Sequence, residues 1–171
     1  MHRLILPVLL LLAACAAPAA RIDGFRSQGP IYSNAVLDLT TITGQWTQVA
    51  AFAGDGRTCR PGGAEIARGA SGLTVSARLC LNGSDVAYRG PLGMTGPGRL
   101  TPAAKAPAPL NREWWVLWAD VDLRTLVVGT PDGSFGFILN RGGALPPDRL
   151  TAAREILDWN GYDVARLTTF R

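Results

Sequence analysis

The chain has almost no histidine and almost no lysine. Its one His is His2 and its one Lys is Lys105. It also lacks a C-x-x-C pair, a run of basic residues and an apolar run long enough to cross a bilayer as a helix. His2 and Arg3 precede the short apolar run Leu4–Leu12, broken only by Pro7, which has the anatomy of a secretory signal. Cleavage after such a signal leaves no histidine. That excludes a Ser-His-Asp triad, a His general base, a His-ligated haem and any His-containing zinc site. No metal, cofactor or catalytic group is therefore expected, and the chain does not read as an enzyme. Removing Arg3 leaves sixteen basic against thirteen acidic side chains, a net +3. The charges are scattered and form no basic stripe, so nucleic acid is not an expected partner.

What is present is small and turn-rich. The 171 residues include 20 Gly and 12 Pro, a length that suits one domain. From Gly44 onward, short apolar or alternating runs are separated by Gly, Pro, Asn and Asp, the pattern of an all-β sandwich or barrel. Strands are expected at 45–53, 63–69, 73–81, 84–94, 98–102, 113–121, 124–130 and 134–141. Leu73–Cys80 alternates cleanly, which buries one face and wets the other. Asn82-Gly83 and Asp132-Gly133 read as tight hairpin turns, since these residues tolerate positive φ. Thr101–Leu110, rich in Pro and Ala, is a loop. One helix is expected after Pro146-Pro147-Asp148, with Leu150, Ala153, Ile156 and Leu157 on its apolar face and Gly161 at its C-terminal cap. A last strand, 164–170, follows. Cys59 and Cys80 suit one structural disulfide in an oxidising compartment. A metal pair or a redox couple is the alternative, but no further soft ligand accompanies them.

Two resemblances sharpen this reading. Leu12-Ala13-Ala14-Cys15 resembles a bacterial lipobox, which implies cleavage before Cys15 and acylation of that residue. An ordinary signal peptide containing a Cys is the alternative. Ala16 stands where an Asp would be the usual inner-membrane retention signal, so the resemblance implies a lipid anchor in the outer membrane, facing the periplasm. The second starts at Gly44-Gln45-Trp46, which resembles the G-x-W signature of lipocalins. Trp115–Asp122 with Asp120 at its centre, Leu126–Pro131, Phe135–Arg141 and a helix ending in Gly161-Tyr162-Asp163 follow with that family's spacing. The chain is thereby identified as similar to the bacterial lipoprotein branch of the lipocalins over about residues 35–171. The resemblance implies an eight-stranded antiparallel up-and-down barrel with a C-terminal packing helix and a short final strand. Residues 1–14 are then the signal peptide and 15–34 the acylated Cys and tether.

In such a barrel Trp46 closes the floor beneath the guanidinium of Arg141, and Gly44 lets the entering chain pass close below. The alternative for Arg141 is a plain surface strand end. Phe52, Tyr88, Trp114, Val116, Trp118, Phe135 and Phe137 are expected to face the interior and to line a site for an apolar ligand, although each reads equally as packed core. Departures from the family include Thr47-Gln48 after the Trp, and the many Gly and Ala in 63–69 and 84–94. The function expected is a membrane-anchored binding protein for a small hydrophobic ligand, of fatty-acid or lysophospholipid type. The alternative is a structural envelope lipoprotein with a filled barrel and a protein partner. Asp120, Asp122 and Glu65 form no evident catalytic pair.

Overall fold

A computed structural model describes residues 24–53, 59–70 and 72–170. The expected signal peptide and Cys15 lie outside these residues. Eight strands follow in order: β1 Gly44–Phe52, β2 Gly63–Gly69, β3 Gly72–Leu81, β4 Ser84–Gly96, β5 Arg99–Pro102, β6 Trp114–Ala119, β7 Thr125–Gly129 and β8 Gly136–Asn140. Each pairs antiparallel with the next, and β1 pairs with both β8 and β2, so the sheet closes. Helix α1, Pro147–Trp159, comes next. The expected strand 164–170 splits into a 3-10 turn, Val164–Arg166, and a three-residue β9, Leu167–Thr169. Asp163 causes the split by accepting from Ala165 N, which holds the chain in a turn. β9 pairs with β1 at Ala50–Phe52, beyond the point where β2 leaves it.

Antiparallel closure puts the connections after β1, β3, β5 and β7 at one end, the mouth. Those after β2, β4 and β6 lie at the other, the floor. A 3-10 turn at Leu39–Ile42, capped by Asp38, leads into β1 at the floor. The Asn82-Gly83 turn takes positive φ at both positions (50° and 71°), as its residue types foretold.

Two bulges decide which side chains face in. In β1 the register against β8 shifts between Gln48 and Ala50. Trp46 and Gln48 are therefore inward, and so is Ala51, but Phe52 turns outward. In β6 the register against β7 shifts between Val116 and Trp118. Trp114 and Val116 stay inside, whereas Trp118 is carried to the outside opposite Val127, and Ala119 turns inward opposite Leu126. A bulge adds one residue to a strand of period two and so inverts every side chain beyond it.

The result is two apolar clusters on either side of one sheet. The inner one fills the barrel. The outer one lies between the sheet and α1, with Phe52, Val127, Ile138, Leu157 and Tyr162 at its centre. α1 packs on β6 and β7, giving the two-sided cover that the apolar run 113–120 requires. Residues 24–34, the end of the segment read as a tether and a lead-in to the domain, lie along the wall. Phe25 N donates to Gly133 O (2.7 Å), Ser27 N to Gly161 O (2.9 Å) and Asn34 N to Val116 O (2.8 Å). Arg26 locks this strap with four carbonyls, those of Asn160, Pro131, Gly29 and Pro30. Cys59 and Cys80 form the disulfide, with Cα atoms 5.5 Å apart.

Candidate ligand site

The floor is built from Trp46, Arg141 and Gly44. The Arg141 guanidinium lies 3.9 Å from the centroid of the Trp46 ring. Arg141 Nη2 donates to Thr43 O (2.8 Å), and Trp46 Nε1 donates to Ile42 O (2.8 Å). Gly44 has φ +121°, a backbone that L side chains rarely adopt, and the guanidinium is the nearest group to where a Cβ would stand. Burial pushes the Arg141 pKa down from its ordinary value, and its Nε is buried without a hydrogen-bond partner among the described residues. The indole face supplies the stabilisation that hydrogen bonds do not, about 0.5–2 kcal/mol.

Above the floor the inward surface is almost wholly apolar. Trp114 stands edge-on to Phe135 and Phe137 (centroids 6.2 and 5.9 Å), which stack on each other at 5.8 Å. Tyr88 reaches inward as a polar tip; its hydroxyl donates to Pro91 O (2.8 Å) and accepts from Ala103 N (3.0 Å). Gln48 is the inward polar residue that the sequence reading missed. Its side-chain amide accepts from Cys80 N and donates to Cys80 O, both at 2.8 Å, and so takes the place of a strand at the level where β2 has not yet begun. A polar residue two positions after an inward Trp is a legible signal, since both share a face.

At the mouth, the connection 103–113 folds inward. Ala106 and Leu110 join the inner cluster, and Leu110 O accepts from Trp114 Nε1 (3.0 Å). Leu110 was legible as the one large apolar side chain in a stretch of Pro and Ala. Leu110, Val116, Phe135 and Phe137 are all 0% exposed. The barrel is filled by its own side chains. A cleft of about 480 Å³ lies on the outer wall of β1–β4 beside Glu65, Arg78 and Arg89, not in the barrel.

Of the expected site residues, Trp114, Val116, Phe135, Phe137 and Tyr88 come together inside. Phe52 and Trp118 do not: the two bulges place them in the outer layer, where Phe52 stacks on Tyr162 at 5.0 Å. Tyr162 closes that layer. Its hydroxyl accepts from Thr130 N (2.7 Å) and lies 3.0 Å from Phe135 O, and burial pushes its pKa up to about 12. Asp120 belongs to a turn. It accepts from the backbone N–H groups of Arg124 and Thr125, and its other oxygen faces Arg149 Nη1 at 3.8 Å. Arg149 continues to Thr125 and Asn140, tying α1 to the β6–β7 corner.

A family model described as a lipocalin-like domain matches residues 100–171. No curated protein matches the sequence. Several solved structures share the fold. A major allergen from cockroaches, Per a 4, aligns with TM-score 0.60 and 10% identity over 85% of this chain and 94% of that one. Insecticyanin from the tobacco hornworm Manduca sexta aligns with TM-score 0.62 and 16% identity over 86% of each chain. The siderocalin Ex-FABP aligns with TM-score 0.56 and 15% identity over 75% and 93%. The fold is therefore lipocalin-like, a closed eight-stranded barrel with its helix outside, and from residue 100 onward the likeness extends to the sequence itself.

Proposed function

We propose that the chain is a non-enzymatic binding protein for a small hydrophobic ligand of fatty-acid or lysophospholipid type. On this reading it is held in the cell envelope by an acylated Cys15 on the periplasmic face of the outer membrane. The observation that carries the binding reading is the mouth. An apolar, aromatic interior is closed there by Ala106 and Leu110 on a loop, not by a strand. Withdrawing Leu110 costs about 2 kcal/mol. A ligand that buries about three methylenes offsets this, at roughly 0.8 kcal/mol each. The siderocalin Ex-FABP, whose fold is shared, is described as functioning through dual ligand specificities, which supports a ligand-binding reading of this barrel. The anchor rests on the lipobox resemblance alone.

One observation favours a second reading. The interior is already packed, which suits a scaffold whose partner is another protein. Delipidated protein reloaded with a fluorescent polyene fatty acid, then with lysophospholipid, separates the two by native mass spectrometry. Retained ligand is expected, and more of it in Leu110→Ala than in the wild type. If neither form retains any lipid, the scaffold reading replaces the binding one.

A further inference from the structure

The N-terminal strap enters the fold at the mouth, not at the floor. Phe25 N bonds Gly133 O in the β7–β8 connection, and Arg26 Nη1 bonds Pro131 O beside it (2.7 Å). Arg166 Nη1 holds Gly24 O (3.2 Å) and lies over the Phe25 ring at 4.3 Å. From there the strap descends: Ser33 Oγ reaches Pro97 O at the floor-side β4–β5 turn, and Asp38 caps the turn beneath Trp46. The chain preceding residue 24 therefore leaves from the same end as loop 103–113. Arg112 of that loop also pairs with Asp132 of the same β7–β8 connection (3.3 Å).

Length then limits orientation. Cys15 lies nine residues before Gly24, a reach of about 30 Å at full extension. The nine residues of β1, tilted as barrel strands are, span a wall about 23 Å high. To turn the floor toward the bilayer, the tether would have to run nearly straight down the whole wall. To turn the mouth toward it, no such ordering is needed. Within the loop Lys105 is exposed, whereas the charge of Arg112 is already met by Asp132, so a single loop cation faces the anionic headgroups.

We infer that loop 103–113 and the β7–β8 connection beside it dock on the surface of the membrane that holds the acylated Cys15, so that this part of the roof of the barrel faces lipid. This rests on the anchor reading above and not on the identity of any ligand. The test uses the full chain, processed in a bacterial host and reconstituted in phosphatidylethanolamine–phosphatidylglycerol vesicles carrying nitroxide-labelled headgroups. Lys105→Cys on the loop and Val121→Cys at the floor, fully exposed in the wild type, are each labelled with a fluorophore. Quenching several-fold stronger at 105 than at 121 is expected. A long Gly/Ser insertion after Ala19 should bring the two closer together. Equal or reversed quenching on protein whose mass shows an acylated Cys15 overturns the orientation and leaves the anchor standing. A mass showing unmodified Cys15 overturns both.

Discussion

The two halves of this barrel are built on different terms. In β7 and β8 every residue is buried, because the inner face meets the barrel core and the outer face meets α1 and the strap. In β2 and β4 only about every second or fourth residue is buried, and the outer face carries Glu65, Arg89 and small side chains. The second half is held by packing on two sides. The first is held by packing on one side, plus the Gln48 amide that braces β1 against β3 and the disulfide that ties the β1–β2 connection to β3. The family model matches the second half only. A strand buried on both faces tolerates few substitutions, so its pattern persists, whereas a one-sided strand constrains only alternate positions.

The contrast should be largest for a charge placed on the outer face. Ile138→Lys, at a position 0% exposed beneath α1, places an unpaired charge in an apolar layer and should abolish folding or cost several kcal/mol. Ser76→Lys, outward on β3, should stay within about 0.5 kcal/mol. Urea denaturation measures both, and equal costs would remove the distinction.

Next comes the brace of the first half. Joint Cys59→Ser and Cys80→Ser substitution opens a link across 21 positions and should cost about 3 kcal/mol in the chain-entropy account. The effect on limited proteolysis should concentrate in β1–β4.

A smaller effect is expected at Tyr162, which latches the β7–β8 hairpin from outside. Its raised pKa means that the unfolded chain loses the phenolic proton first. The contribution is therefore intact below about pH 10 and lost as pH rises toward 12, an effect on the order of 2 kcal/mol. A late-titrating tyrosinate absorbance that disappears in Tyr162→Phe checks it.

The smallest concerns the latch between loop 103–113 and the β7–β8 turn. Burial raises the Asp132 pKa, but hydrogen bonds from Ser134 and Thr130 and the charge of Arg112 outweigh it, leaving it below the ordinary carboxylate value. Its contribution is present above the ordinary carboxylate pKa and fades as pH falls through the lowered one. The pair is largely exposed, so Arg112→Ala should cost at most about 1 kcal/mol. The readout is hydrogen exchange in the loop, faster in the variant at neutral pH and equal to wild type in acid.

Much of the architecture is legible in the amino-acid sequence. The Leu73–Cys80 alternation, the Asn82-Gly83 turn and the apolar face of α1 follow from residue types and spacing, and the pairing of Trp46 with Arg141 from the resemblance to lipocalins. Phe52 and Trp118 were not legible. Each shares sequence parity with an inward residue, Trp46 and Val116 respectively, and each is reversed by one extra residue in between. The strap was half legible: its composition suggested a tether, while the four carbonyls around Arg26 come from segments as far away as Asn160.

The amino-acid sequence alone determined which stretches are strands, where they turn and that most of their inward surface is apolar, because propensity and alternation are local. Tertiary structure decided where parity inverts, which end the N-terminal chain leaves from, and that Leu110 and Ala106 close the mouth. Those outcomes depend on hydrogen bonds and contacts with strands and loops distant in the chain, and no local pattern encodes them.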